Sequence, residues 1–167
     1  DPVLVQGQTS LYDGPIKRRV RDLLVIMGER PWHDLNFKPW QVAIGPNLAW
    51  KLKLESTLGN VAVNLREAYV YQISVVTDLG DVTLITPAQG AVSVHISTTL
   101  GDVQVLIPEE VCADVRIDAG SKSKVRIDPQ RFPEFSMGRW RSAEYDQQPD
   151  NRLALTIETT SGDVTVL

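Results

Sequence analysis

A glycine-centred phrase recurs along this chain and constrains its fold more than any other feature. Leu58-Gly59-Asn60-Val61-Ala62-Val63 is followed by Leu79-Gly80-Asp81-Val82-Thr83-Leu84 and then by Leu100-Gly101-Asp102-Val103-Gln104-Val105, so these glycines fall every twenty-one residues. Ser161-Gly162-Asp163-Val164-Thr165-Val166 restates the phrase near the end. A fixed period of this length, written in β-type residues, specifies stacked supersecondary units, none of which can bury its apolar face alone.

The columns around the glycine keep their chemistry. Seven residues before it stand Leu52, Ile73, Val94 and Leu155; five before, Leu54, Val75, Ile96 and Ile157; three before, Ser56, Thr77, Thr98 and Thr159. Two and four residues after it come Val61 and Val63, Val82 and Leu84, Val103 and Val105, Val164 and Val166. Apolar columns two residues apart belong to strands with one face inward and one outward. Each unit therefore reads as a strand, a Gly-Asx corner, a second strand and a looser connection, with strands of successive units stacked about 4.8 Å apart. Gly59, Gly80, Gly101 and Gly162 are expected at corners of positive φ, which glycine alone adopts cheaply. Asn60, Asp81, Asp102 and Asp163 are natural turn residues, whose short side chains bond nearby backbone amides. The expected fold is all-β: a single-chain β-solenoid with its repeats in 46–127.

The fourth unit is imperfect. Ala113, Val115 and Ile117 continue the columns, but the glycine comes early, at Gly120, and Ser121-Lys122-Ser123-Lys124 replaces the phrase before Val125 and Ile127 resume it. A register slip of the bulge kind accounts for this. Residues 128–151 lose the period; Pro129, Pro133 and Pro149 mark an inserted loop, and 152–167 supply the final rung. Residues 1–45 read as strands and a cap of the same domain, covering an open end of the stack. Within them Val3-Leu4-Val5 and Leu23-Leu24-Val25-Ile26-Met27 look like buried strands, the second ending at Gly28. Trp32, Trp40 and Trp50 read as core or end-cap aromatics.

At 167 residues the chain is one domain with room for a sizeable core, and twenty valines against two methionines give it a β bias. A net charge of -4 argues against a general nucleic-acid binder, which presents a basic field. No stretch reaches the roughly 18–20 apolar residues of a membrane helix, and no signal peptide is visible. The chain opens at Asp1 rather than Met, as expected of a fragment or a processed product, whose parent could carry a membrane anchor elsewhere. The single Cys112 excludes an internal disulfide and reads as a buried thiol in a strand.

Little in the chain points to catalysis. His33 and His95 have no Cys or carboxylate at metal-ligand spacing, so no metal site is expected. There is no Gly-x-Ser-x-Gly phrase and no phosphate-binding glycine loop, and no cofactor is implied. Stacked in register, Asn60, Asp81, Asp102 and Asp163 could face a cation such as calcium, but one carboxylate per rung is a poor cage. Two segments suit contact with a partner. Phe135, Arg139, Trp140, Arg141 and Tyr145 lie in a loop of residue types enriched at interface hot spots; alternatively Phe132, Phe135 and Trp140 fold back over the open end. Lys17, Arg18, Arg19 and Arg21 form the densest basic run. Charges of this kind block edge-to-edge strand pairing, or meet an acidic partner or anionic head groups if an anchor lies nearby.

The order of features resembles the carboxy-terminal domain of the LiaF/VraT-type bacterial cell-envelope stress proteins, within the wider toast-rack group of β-solenoid domains. The residues that carry the likeness are Leu24-Val25-Ile26-Met27-Gly28, Pro31-Trp32 and Leu35-Asn36, the Gly-Asn-Val and Gly-Asp-Val phrases, Val105-Leu106-Ile107-Pro108, a variable insertion and the closing Gly162-Asp163-Val164. The likeness covers about 23–167 and resides in order and spacing, since each motif is short. It implies a non-catalytic domain, often attached to membrane helices, that acts in signalling or envelope assembly through protein contacts. The missing Gly-Asp-Val phrase of the fourth unit and the basic run of residues 17–21 depart from the family pattern. The expected function is thus an interaction module that presents a rigid surface to a protein partner or to itself. A ligand-binding domain for an envelope lipid, peptide or glycan is the alternative.

Overall fold

The computed structural model describes residues 49–167 and, before them, the backbone of four strands: β1 (Val3–Thr9), β2 (Ile16–Val20), β3 (Leu23–Gly28) and β4 (Lys38–Ile44). Beyond them follow β5 (Trp50–Leu58), β6 (Val61–Asn64), β7 (Val70–Leu79), β8 (Val82–Ile85), β9 (Gly90–Leu100) and β10 (Val103–Leu106). The remaining strands are β11 (Cys112–Ala119), β12 (Val125–Ile127), β13 (Glu134–Ser136), β14 (Arg139–Arg141), β15 (Asn151–Ser161) and β16 (Val164–Val166). Apart from one 3-10 turn at Tyr145–Gln147, all the regular structure described is β.

The strands form two sheets. The larger has the order β13-β14-β11-β15-β9-β7-β5-β3-β2, and the smaller β12-β16-β10-β8-β6-β1-β4. Each repeat gives a long strand to the first sheet, turns at its Gly-Asx corner, and gives a short strand to the second. From β3 to β11 in one sheet, and from β6 to β12 in the other, neighbours run parallel. Parallel pairing in strict register brings like residues together. Leu52, Ile73, Val94, Leu155 and Val115 stand side by side, none more than 1% exposed. Val61, Val82, Val103 and Val164 stand side by side in the facing sheet, and all four are buried. Burial of each such side chain contributes about 1.5–3 kcal/mol before the entropic cost of ordering. The column also has a polar member: Thr77, Thr98 and Thr159 are buried, and their hydroxyls find no hydrogen-bond partner among the described residues.

The stacking order differs from the order of the repeats. β15 pairs with β9 on one side and β11 on the other, and β16 lies between β10 and β12. The last repeat is therefore threaded between the third and the fourth instead of closing the end. The register is the same at the corners of Gly59, Gly80, Gly101 and Gly162, so a phrase such as Gly162-Asp163-Val164 does not specify its own level among them. Position in the stack is set by the connections, which carry no period.

The fourth corner contains one extra residue. Ala119 pairs with Thr159 and Val125 with Val164, six steps along one strand pair against five along the other. Gly120 turns out of line there, its amide bonded to Thr159 O at 2.9 Å, and Lys124 takes the place that Asx holds elsewhere. The aperiodic segment after it is also more ordered than the inserted loop expected from its prolines. It contains the β13–β14 hairpin, with β14 laid antiparallel along β11. Three-residue strands are too short to leave an alternation that a sequence reading can detect.

Candidate interaction surface

The corners hold the rungs together through their side chains as well as their backbone. The Asp81 amide donates to Asn60 Oδ1 at 2.9 Å, Asp102 to Asp81 Oδ1 at 2.9 Å, Asp163 to Asp102 Oδ1 at 2.8 Å, and Lys124 to Asp163 Oδ1 at 3.0 Å. Each Asx thus bonds the amide of the adjacent rung, where the sequence suggested an amide nearby in the chain. The glycines form a second ladder. A Cβ on Gly101 would lie 2.1 Å from Gly80 O, at a backbone φ of +148°. Both the close approach and the torsion require glycine there. The ladder uses one oxygen of each Asx internally, and among the described residues no cluster of three or more His, Cys, Asp or Glu could hold a metal ion.

A different kind of bonding fixes the end of the stack beyond β11. Phe132 is fully buried and plugs the core, while Trp140 packs half-buried against it. Arg131 closes over the connection between β10 and β11, its Nη1 donating to Ile107 O at 2.7 Å and its Nη2 to Pro108 O and to Val111 O at 3.3 Å. Burial lowers the Arg131 pKa from its ordinary value, and nearby Glu109 and Asp128 offset this. The hairpin itself is pinned by Asp114. Its Oδ2 accepts from Arg141 Nη2 at 2.5 Å and Nε at 3.0 Å, and from Arg139 Nη2 at 3.2 Å. This contact raises the Arg141 pKa above its usual value.

The two arginines in turn hold aromatic rings. Arg139 and Arg141 lie 5.1 and 5.0 Å from the centre of Phe135, and Arg141 and Arg152 lie 5.2 and 5.6 Å from Tyr145. Burial pushes the Tyr145 hydroxyl up, with Arg152 opposing it. Phe135 is nonetheless 51% exposed, and Met137 at the tip is 97% exposed. The hairpin thus divides: Phe132 and Trp140 turn into the core, while Phe135 and Met137 face outward on a scaffold of charge-assisted bonds. Asp114 is the anchor of that scaffold. Only its pairing with an aperiodic strand shows this.

Other predicted positions lie apart. Lys17, Arg18 and Arg19 fall on β2, the outermost strand of the larger sheet, and their side chains lie outside the described residues. Arg21 lies outside them altogether, as do Pro31, Trp32, His33, Leu35 and Asn36. Cys112 is half-buried at the start of β11; burial, then Glu144, pushes its thiol pKa up, and Arg131 opposes. His95 is half-buried on the outer face of β9. A shallow pocket of about 300 Å³ beside Arg66, Tyr69 and Gln89, at the connections between rungs, gave no signal in the sequence. Among the described residues no helix is long and apolar enough to cross a membrane.

No protein-family model matches this chain, and no curated protein does. The chain is similar to a solved structure, that of a putative cell adhesion protein from Clostridium sporogenes ATCC 15579, with a TM-score of 0.70 and 16% sequence identity. The match covers 83% of this chain and 64% of the Clostridium chain. At that identity the likeness is one of fold.

Proposed function

We propose that this chain is a non-catalytic interaction module, a β-solenoid of the toast-rack kind whose stacked rungs present a rigid surface to a protein partner. The setting we infer is a bacterial envelope-associated or signalling protein. The observation that carries this reading is the hairpin tip. Phe135 and Met137 are exposed, yet the hairpin that carries them is fixed by Asp114 through Arg139 and Arg141. Exposed apolar side chains on a preorganised support lose little entropy on binding, which is what an interface hot spot requires. The fold likeness to a protein named for adhesion supports the same direction, as does the sequence resemblance to the LiaF/VraT type. A glycan platform is a weaker reading here, because Trp140 packs inward and Tyr145, half-buried, is engaged by Arg141 and Arg152. Proximity labelling in the source cell tests the proposal. Replacing Phe135 and Met137 together by Ser should abolish capture of the partner while the chain stays folded, with only the small fall in melting temperature expected from losing the Arg139 and Arg141 contacts to the Phe135 ring. Undiminished capture would move the contact away from the hairpin.

A further inference from the structure

The threaded position of the last repeat creates a feature that a sequentially wound stack lacks. β9 and β11 do not pair with each other, and neither do β10 and β12; between them is a slot one strand wide in each sheet. Residues 151–167 fill it. β15 is in register with β9 from Asn151 opposite Gly90 to Ser161 opposite Leu100, and with β11 from Arg152 opposite Cys112 to Thr159 opposite Ala119. β16 is in register with β10 and β12 over its whole length. The Asx ladder passes through the same slot, from Asp102 to Asp163 to Lys124. A segment bonded on both edges, by backbone pairing and a repeating phrase, makes interactions that any identical segment would reproduce.

The tether of that segment is exposed at most of its positions, and its specific contacts are few in kind: Ser142 bonds Ala113, Asp146 meets Arg141, and Tyr145 lies against Arg141 and Arg152. Between the end of β14 and the start of β15, Ala143, Glu144, Asp146, Gln147, Pro149 and Asp150 are all exposed. We propose that the slot accepts residues 151–167 of a second copy, so that the chain associates with itself by exchanging β15 and β16. The partner is this chain, the occupant is that one segment, and every strand pairing broken within one chain is re-formed between two. Exchange of this kind is a low-cost route to a dimer, because only the tether and the association entropy distinguish the two forms. The proposal rests on the interaction-module reading and gives it one specific form.

Cysteine cross-linking of the full chain tests it. Ser93 and Ala154 are exposed and directly opposed on β9 and β15, and adjacent strands lie within the span of a disulfide. In a Cys112→Ser background, one chain carries S93C and another A154C. The two are mixed, taken through mild denaturant at high concentration and oxidised. Exchange predicts a covalent mixed dimer, at a yield about tenfold above that of S93C with D128C, whose thiol lies beyond β12, because the paired thiols are held at high effective concentration. A chain carrying both S93C and A154C, which closes on itself, shows that the pair oxidises when adjacent. A mixed dimer no more abundant than the D128C pairing overturns the exchange. A dimer seen by light scattering without that link overturns it too, but leaves the interaction-module reading intact through a surface contact. A chain that is monomeric at every concentration, and that captures no partner in the cell, removes both.

Discussion

At the Gly-Asx corners each rung is held by backbone and side-chain groups that its neighbours repeat, whereas the β13–β14 hairpin is held by contacts that occur once. The corner needs a missing side chain and a short acceptor: Gly101 so that Gly80 O can approach, and Asp102 so that the next amide has a partner. The hairpin needs particular large residues instead: Phe132 in the core, Arg131 over three carbonyls, and Asp114 under two guanidiniums. Repetition makes the corners rigid and interchangeable. Singular contacts leave the hairpin free to carry a surface that differs from every rung.

The comparison can be broken most forcefully at a corner. Gly101→Val would place a Cβ against a backbone oxygen that cannot move without displacing a rung, at a torsion hostile to β-branched residues. The expected cost is about 5 kcal/mol, on the scale of the whole margin of a small domain. Urea unfolding read by circular dichroism checks it, and a midpoint near that of the parent chain would mean the corner is looser than its packing indicates. Next comes the plug. Phe132→Ala removes a fully buried ring from the open end and should cost about 3–5 kcal/mol. If amide exchange is measured alongside, protection should fall first in β11 and the hairpin while β7 and β9 keep theirs. Uniform loss would show that end and middle unfold as one unit.

Asp114→Ala probes the hairpin's anchor. Asp114 is nearly covered but Arg141 is one-third exposed, so solvent screens the pair and the cost should be only about 1–2 kcal/mol. Removal of the carboxylate leaves two guanidiniums side by side, and that repulsion is relieved by salt. The difference in melting temperature from the parent should therefore narrow between low and high salt. A salt-independent difference would assign the loss to packing alone.

What the sequence makes legible follows the same division. The inward columns, from Leu52 through Val94 to Leu155, announce themselves because parallel strands in register place like beside like. The corner glycines are visible for the same reason. The Gly-Asx corners share one register, so the threading of β15 between β9 and β11 could not be read from the phrase itself. Trp140 and Phe135 share a residue class and lie five positions apart, yet one turns to the core and the other to solvent. Nothing local decides between them. The choice is made by the antiparallel pairing of Val115 with Trp140, a contact between a periodic strand and an aperiodic one.

The smallest expected effect sharpens the account of the corner itself. Asp102 Oδ1 accepts the Asp163 amide, while its own amide goes to Asp81. Asp102→Ala leaves the Asp163 amide without that partner at an exposed turn, where water can replace it, so the loss should be about 1 kcal/mol. Asp102→Asn keeps the accepting oxygen and removes a carboxylate that stands between two others. Asn60 already serves in this way at the start of the ladder. The Asn variant should therefore match the parent in urea, or exceed it by about 0.3 kcal/mol at low salt, since like charges opposed on adjacent strands destabilise. Should Asn prove as costly as Ala, the ladder would depend on charge rather than on acceptor geometry. The Lys124 and Arg126 side chains beyond Asp163 would then become part of what holds the corner, the latter already 3.7 Å from that carboxylate.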